Sequence, residues 1–257
     1  MTTSAFADVD VSAWIGPYPF REVPHPEPEV LVRVLAREGV ARAWVGWLPT
    51  MWQRDPAAGN ARLVEALAPH ADVLAPAVAI RPDWPAWERE LARGLSAGAE
   101  SVRAYPAQWG MGPGHPALGR LAGACAEAGV PLHLTVRVED LRQRHPHDVA
   151  GDVPAATVRA LARARTGATL VVSGAGREFI EEVWWGLTPE EQARVCFDFG
   201  WVWGPPEDHF AHLLETMGPR PFVYGSQWPL RLVQQSRALV ALAPADRRPM
   251  LPLRGPG

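Results

Sequence analysis

Three acids and a histidine are the residues best suited to proton chemistry in this chain: Asp10, Glu139, Asp198 and His133. Each lies in or just after a short apolar run, as in Val9-Asp10-Val11, Leu132-His133-Leu134 and Val195-Cys196-Phe197-Asp198. A carboxyl in a poorly hydrated pocket is raised toward neutral pKa and can act as acid or base, and a histidine can shuttle a proton beside it. Arg21, Arg103 and Arg137 follow the same rhythm and suit a substrate carboxylate, which a guanidinium grips bidentately. Of the twelve tryptophans, Trp14, Trp47, Trp109, Trp201, Trp203 and Trp228 fall at or past the ends of apolar runs. With Tyr105 and Gln227 they describe an aromatic wall for a flat ligand, each stacking or cation–π contact contributing roughly 0.5–2 kcal/mol. Tryptophans that fill a wide mouth for purely structural reasons produce the same pattern.

Residue types also exclude chemistry. All 25 basic residues are arginine, so neither a lysine Schiff base nor a carbamylated-lysine metal bridge is available. Ser173 and Ser226 lack the context of a nucleophile elbow, and Gly174-x-Gly176 is a weak phosphate signal. His145 and His147 sit in a polar Arg/His/Pro/Asp stretch that reads as a solvated loop.

The elements that must hold these residues are legible from periodicity. Apolar runs alternate with amphipathic segments of ten or more residues, the pattern of parallel βαβ units. Strands are predicted over 7–14, 41–47, 73–80, 101–105, 131–138, 169–173, 195–200 and 222–226. Helices are predicted over 28–38, 59–68, 84–97, 116–128, 154–165, 176–186, 207–217 and 229–243, with Pro85, Pro116 and Pro154 in first turns. Eight such units imply a single-domain α/β protein, a (β/α)8 TIM barrel over 1–248, with a doubly wound sheet as the alternative and a disordered tail over 249–257. Chemistry then gathers at the carboxyl ends of the strands, where the residues above lie. On the fifth strand, period-two alternation sends His133, Thr135, Arg137 and Glu139 to one face, taken as the lumen. A competing expectation is an ion-pair network of Arg103, Arg137, Glu139, Asp140 and Arg142 that braces the barrel.

Composition narrows the partners. A net charge of -3 with no basic stripe argues against nucleic acid, and no apolar run approaches the ~20 residues that span a bilayer. The expectations are a cytoplasmic protein, free Cys125 and Cys196, and a small-molecule ligand. A homo-oligomer is a further option, with Trp184-Trp185 as one interface candidate.

Several ordered motifs resemble the amidohydrolase-related family, the barrel group that includes aminocarboxymuconate-semialdehyde-decarboxylase-like enzymes. They are Pro17-Tyr18-Pro19-Phe20-Arg21, Ala43-Trp44-Val45-Gly46, Asn60-Ala61-Arg62-Leu63, Val102-Arg103-Ala104-Tyr105-Pro106, Phe197-Asp198 and Gly225-Ser226. The resemblance implies a divalent metal held by His-x-His on the first strand, histidines on the fifth and sixth, and an aspartate on the eighth. Here those places hold Ser12 and Trp14, then His133, then Ser173-Gly174, then Gln227. Of these only His133 stands in a ligand position, and one histidine does not make a site, so neither metal nor other cofactor is expected.

Two functions remain open. One is a metal-independent enzyme acting on a small aromatic or carboxylated molecule, by acid–base hydrolysis or a lyase or isomerase step. The other is a non-catalytic descendant that binds a small molecule or serves as a partner subunit. Pairing of Asp10, Glu139 and Asp198 with arginines would favour the second, and a free acid in the lumen the first. A weak, displaced metal on His133, Asp10 and Asp198 is a third arrangement.

Overall fold

A computed structural model of the chain describes residues 9–244 and 246; the predicted tail at 249–257 lies outside them. The strands are β1 (Val9–Ile15), β2 (Arg42–Trp47), β3 (Leu74–Ala79), β4 (Ser101–Ala104), β5 (Leu132–Thr135), β6 (Leu170–Ser173), β7 (Val195–Asp198) and β8 (Phe222–Val223). The helices are α1 (Pro28–Glu38), α2 (Ala57–Leu67), α3 (Trp87–Ser96), α4 (Pro116–Glu127), α5 (Ala155–Arg163), α6 (Arg177–Trp184), a one-turn α7 (Pro189–Gln192), α8 (His209–Met217) and α9 (Val233–Leu242). Each strand pairs in parallel with the next, in the order β1 to β8.

The seam between β8 and β1 is closed by main-chain bonds. Val11 N donates to Tyr224 O at 2.9 Å, Gln227 N to Ser12 O at 2.7 Å and Trp14 N to Trp228 O at 2.8 Å. Asp10 reinforces it, since Oδ1 accepts from Ser12 N and from Ser226 N, each at 3.0 Å. The chain is thus a closed (β/α)8 barrel.

Two apolar layers follow from strand alternation. Val11, Trp44, Ala75, Ala77, Val171 and Val223 form one buried cluster. Contacts linking β1, β2, β3, β6 and β8 in this way are possible only inside the barrel. The other strand faces meet the helices, whose buried positions recur at helical spacing, as in Leu31, Val34 and Leu35 of α1. Gly39 ends that helix at φ 69° with its N–H on Ala36 O and Leu35 O.

Asn60 ties α2 to the barrel. Its amide donates to Ala79 O at 2.8 Å and accepts from Ala79 N at 2.9 Å, giving β3 the bonds of a missing neighbour. Asn60→Ala strands both buried groups and is expected to lower stability by about 2–4 kcal/mol, read as a lower urea midpoint; an unchanged midpoint would show that water replaces the amide.

Where the elements depart from prediction, local chemistry explains it. Ala86 takes the left-handed conformation at φ 61°, so α3 begins after Pro85 rather than around it. β5 ends at Thr135 instead of running to 138, which removes Arg137 and Glu139 from its alternation. α9 begins at Val233, leaving 229–232 as loop. Cys125 and Cys196 are free. Trp184 packs partly into the core while Trp185 is exposed. Among the described residues no helix is long and apolar enough to cross a membrane.

Candidate active site

The carboxyl end of the barrel brings β5, β6, β7 and the segment after β8 to one buried polar cluster. Asp198 closes β7 and is fully buried. Its Oδ1 accepts from Gly174 N at 3.4 Å, Gly200 N at 3.3 Å and Gln227 Nε2 at 3.3 Å. No arginine among the described residues forms an ion pair with it. Burial outweighs these donors and pushes the carboxyl up to about 6.

Ser173, at the end of β6, makes a short contact with Nε2 of the fully buried His133. Burial, and then the nearby Arg103 charge, hold the His133 imidazole well below its usual pKa. Nδ1 of His133 and Oγ1 of Thr135, two residues further along β5, have no hydrogen-bond partner among the described residues. On the opposite flank, Gln227 Oε1 accepts from Trp201 Nε1 at 2.6 Å, fixing that indole across the mouth. The Arg231 guanidinium stacks 3.6 Å from the Trp201 ring centre and Arg137 stands 5.6 Å from it. Two guanidinium groups therefore lie within cation–π distance of one indole, whose N–H is bonded to the same Gln227 side chain that donates to Asp198.

Two glycines make this approach possible. Gly174 has φ +75°, and a Cβ there would lie 2.2 Å from Arg137 O. A Cβ on Gly225 would meet the Asp198 side chain at 2.7 Å.

Deeper in the lumen, Arg103 is fully buried with its guanidinium 4.6 Å from the Trp14 ring centre. Nη2 donates to Val11 O at 3.2 Å, while Nε and Nη1 have no hydrogen-bond partner among the described residues. Trp14 Nε1 donates to Tyr105 OH at 3.3 Å, and Trp109 packs edge-on against Tyr105. Gly46 accommodates this stack, since a Cβ there would sit 2.9 Å from Trp14 and 3.1 Å from Arg103 Nε.

The remaining sequence candidates go elsewhere. Asp10 spends Oδ1 on the seam, its Oδ2 has no hydrogen-bond partner among the described residues, and burial raises its pKa. Glu139 was expected to share the lumen with His133, but it lies on the rim, where Oε1 accepts Arg21 Nε at 3.0 Å and Nη2 at 2.6 Å. Phe20 stacks on His145 nearby, so the loops after β1 and β5 clasp each other. Arg137 pairs with Asp152 at 2.6 Å and Asp140 with its neighbour Arg142, so the expected five-residue network is in fact separate local pairs. Trp47 packs over Gly16, and Trp228 is buried beside the seam. Ser173, Gly174 and Arg231 join the site although their residue types did not point to it. Ser173 and Gly174 stand at the sixth-strand ligand place that the resemblance implies, and for Arg231 the sequence signal is its place just past a strand end.

The ligand set that the resemblance implies does not fit here. Ser173 is bonded to His133, and the Gln227 amide is held between Asp198 and Trp201. Trp14 presents an indole, which has no lone pair for a cation, with a guanidinium already against its face. Among the described residues no three His, Cys, Asp or Glu side chains converge on a point.

No protein-family model matches the sequence, and neither does any curated protein. Solved structures do match. The 2,6-dihydroxybenzoate decarboxylase from Rhizobium aligns with a TM-score of 0.67 at 13% identity, covering 94% of this chain and 95% of that one. A probable 2-pyrone-4,6-dicarboxylic acid hydrolase from Acinetobacter baumannii, with citric acid bound, gives 0.61 at 11% over 91% of each chain. A putative amidohydrolase from Staphylococcus aureus gives 0.66 at 10% over 93% of each. At such identities the likeness shows the barrel fold.

Proposed function

We propose that this chain is an amidohydrolase-like enzyme that acts on a small, flat, carboxylated molecule by metal-independent acid–base chemistry. The observation that carries the reading is Asp198: a buried carboxyl with no arginine partner among the described residues, raised to about 6. Such a group titrates about one pH unit below neutrality, so it is protonated in a useful fraction there and can deliver a proton to a leaving oxygen or nitrogen, or to a ring carbon that loses a carboxyl group. Hydrolysis and a lyase step are both served. Arg231 and Arg137, both within cation–π distance of Trp201, offer charge for a substrate carboxylate beside an aromatic ring. The dihydroxybenzoate decarboxylase and the probable pyrone-dicarboxylic acid hydrolase are named for carboxylated rings, which fits this preference. A purely binding descendant is disfavoured because, among the described residues, only Glu139 of the three acids forms an ion pair with an arginine.

The test is a turnover screen of hydroxybenzoates, vanillate-type acids and pyrone carboxylates, followed by liquid chromatography, with and without a chelator. Conversion is expected to survive the chelator unchanged. Loss of conversion that added Zn²⁺ or Mn²⁺ restores would overturn the metal-independent reading. The pH profile assigns the role: an acid role for Asp198 makes the rate fall above about pH 6, and a base role makes it rise there.

A further inference from the structure

We propose that the cleft between α4 and α5 is a second binding site, outside the barrel lumen, for an uncharged molecule of one-ring size that carries a single hydrogen-bonding group, such as a phenol. A cavity of about 200 Å³ lies there, walled by Pro116, Leu118 and Gly119 of α4 and by Thr157, Ala160 and Leu161 of α5. An apolar cavity of about 150 Å³ is enough to take up benzene, so this volume admits one six-membered ring with a substituent. None of the described residues in the wall is Asp, Glu or Arg, and an anion there would lose hydration with no cation to meet it. The class that fits is therefore neutral. It differs from the carboxylated ring proposed for the lumen, and the inference does not rest on that reading.

Two observations point to a guest. Thr157 is fully buried, and its Oγ1 has no hydrogen-bond partner among the described residues. A threonine in a helix can turn its hydroxyl onto a carbonyl three or four residues back. Here the main-chain N–H of Thr157 bonds Pro154 O at 2.9 Å, and the hydroxyl is left over. A buried polar group left this way calls for a ligand or water. Water is a poor remedy, since a buried water needs about two to four polar partners. The only other polar side chain in the wall among the described residues is His115, and its Nδ1 is spent accepting from Ala117 N at 3.3 Å, which caps α4. The second observation is Gly119, within α4. Glycine is a poorer helix former than alanine and is explained inside a helix where a neighbour approaches closely. A Cβ at 119 would meet no atom within 4 Å. No neighbour demands the glycine, and its missing side chain leaves the cavity its volume.

The full chain, labelled with ¹⁵N, is titrated with phenol, toluene and benzoate while its backbone amide shifts are followed by NMR. Phenol is expected to shift the amides of Gly119, Thr157 and Leu161 saturably, toluene to do so more weakly, and benzoate to leave them in place. Thr157→Val keeps the shape and removes the hydroxyl; it is expected to weaken phenol about two- to ten-fold, the worth of one hydrogen bond, and to leave toluene unchanged. Gly119→Leu puts a side chain into the cavity and is expected to abolish the shifts at Thr157 and Leu161. The amides of Trp201 and Gln227 report on the lumen in the same spectra. Phenol that perturbs only those amides overturns the proposal and leaves the reading of the lumen standing. Phenol binding of equal strength in Thr157→Val, shifts that persist in Gly119→Leu, or a benzoate response as strong as that to phenol would each overturn it as well.

Discussion

Asp198→Asn is expected to lose about two to four orders of magnitude in turnover, the usual contribution of a general acid or base, and yet to melt higher than the unmodified protein above pH 6. Asparagine keeps an oxygen for Gly174 N and Gly200 N but has no proton to transfer. The stability gain follows from the rise of the carboxyl from 3.8 to about 6 on folding. Because the folded state binds this proton more tightly, the contribution favours folding at low pH and is lost as pH rises from about 4 through 6. A carboxyl raised this far disfavours the folded, ionised protein by about 3 kcal/mol, an upper bound of several degrees at about 2–4 °C per kcal/mol for a chain of this size. Calorimetry at pH 4 and pH 8 reads it: the variant should gain at pH 8 and show little difference at pH 4. A variant that keeps its activity and melts lower at both pH values would place Asp198 in the scaffold instead of the chemistry.

The largest stability effect is expected at Gly174. In Gly174→Ala the new methyl meets Arg137 O at 2.2 Å and Arg137 N at 3.1 Å. Both are main-chain atoms and have no rotamer to swing away. The φ of +75° adds roughly 1–2 kcal/mol for any residue with a Cβ. Together these predict a loss above about 4 kcal/mol, much of the roughly 5–15 kcal/mol that holds a domain folded. Gly119→Ala within α4, where no atom lies within 4 Å of the new methyl, is the control and should be neutral or stabilising by up to about 1 kcal/mol. Urea midpoints and soluble yield compare the two. Equal midpoints would mean that the segment after β5 yields more easily than its packing indicates.

The barrel itself was legible because parallel strands buried on both faces leave runs such as Leu170-Val171-Val172, and helices leave apolar positions at i, i+3 and i+4. His133, Asp198, Gln227 and Trp201 were legible for a related reason: strand ends converge at one face of any such barrel. Glu139 misled, because its alternation with His133 continues in sequence past Thr135, where the strand hydrogen bonds stop. Ser173 was noted in the sequence at the strand-six ligand place and given no role, since a serine at a strand end has no distinctive pattern. Its role depends on which strands flank it, and that is a property of closure and not of spacing. Arg231 was hidden inside a segment with helical periodicity, and the first turn of that segment proved to be loop.

The seam has a consequence for how this protein is made. β1 leaves the ribosome first, yet the groups that satisfy it, Tyr224, Ser226 and Trp228, are synthesised more than two hundred residues later, with Asp10 and Ser226 separated by 216 positions. Until then the nascent sheet has an open edge, with a carboxylate and unpaired amides ready to meet another chain. Closure joins positions further apart than any other hydrogen bond among the described residues, so it carries a large loop entropy and must come late. Translation arrested before residue 222 would therefore yield a product whose hazard is association with its own copies.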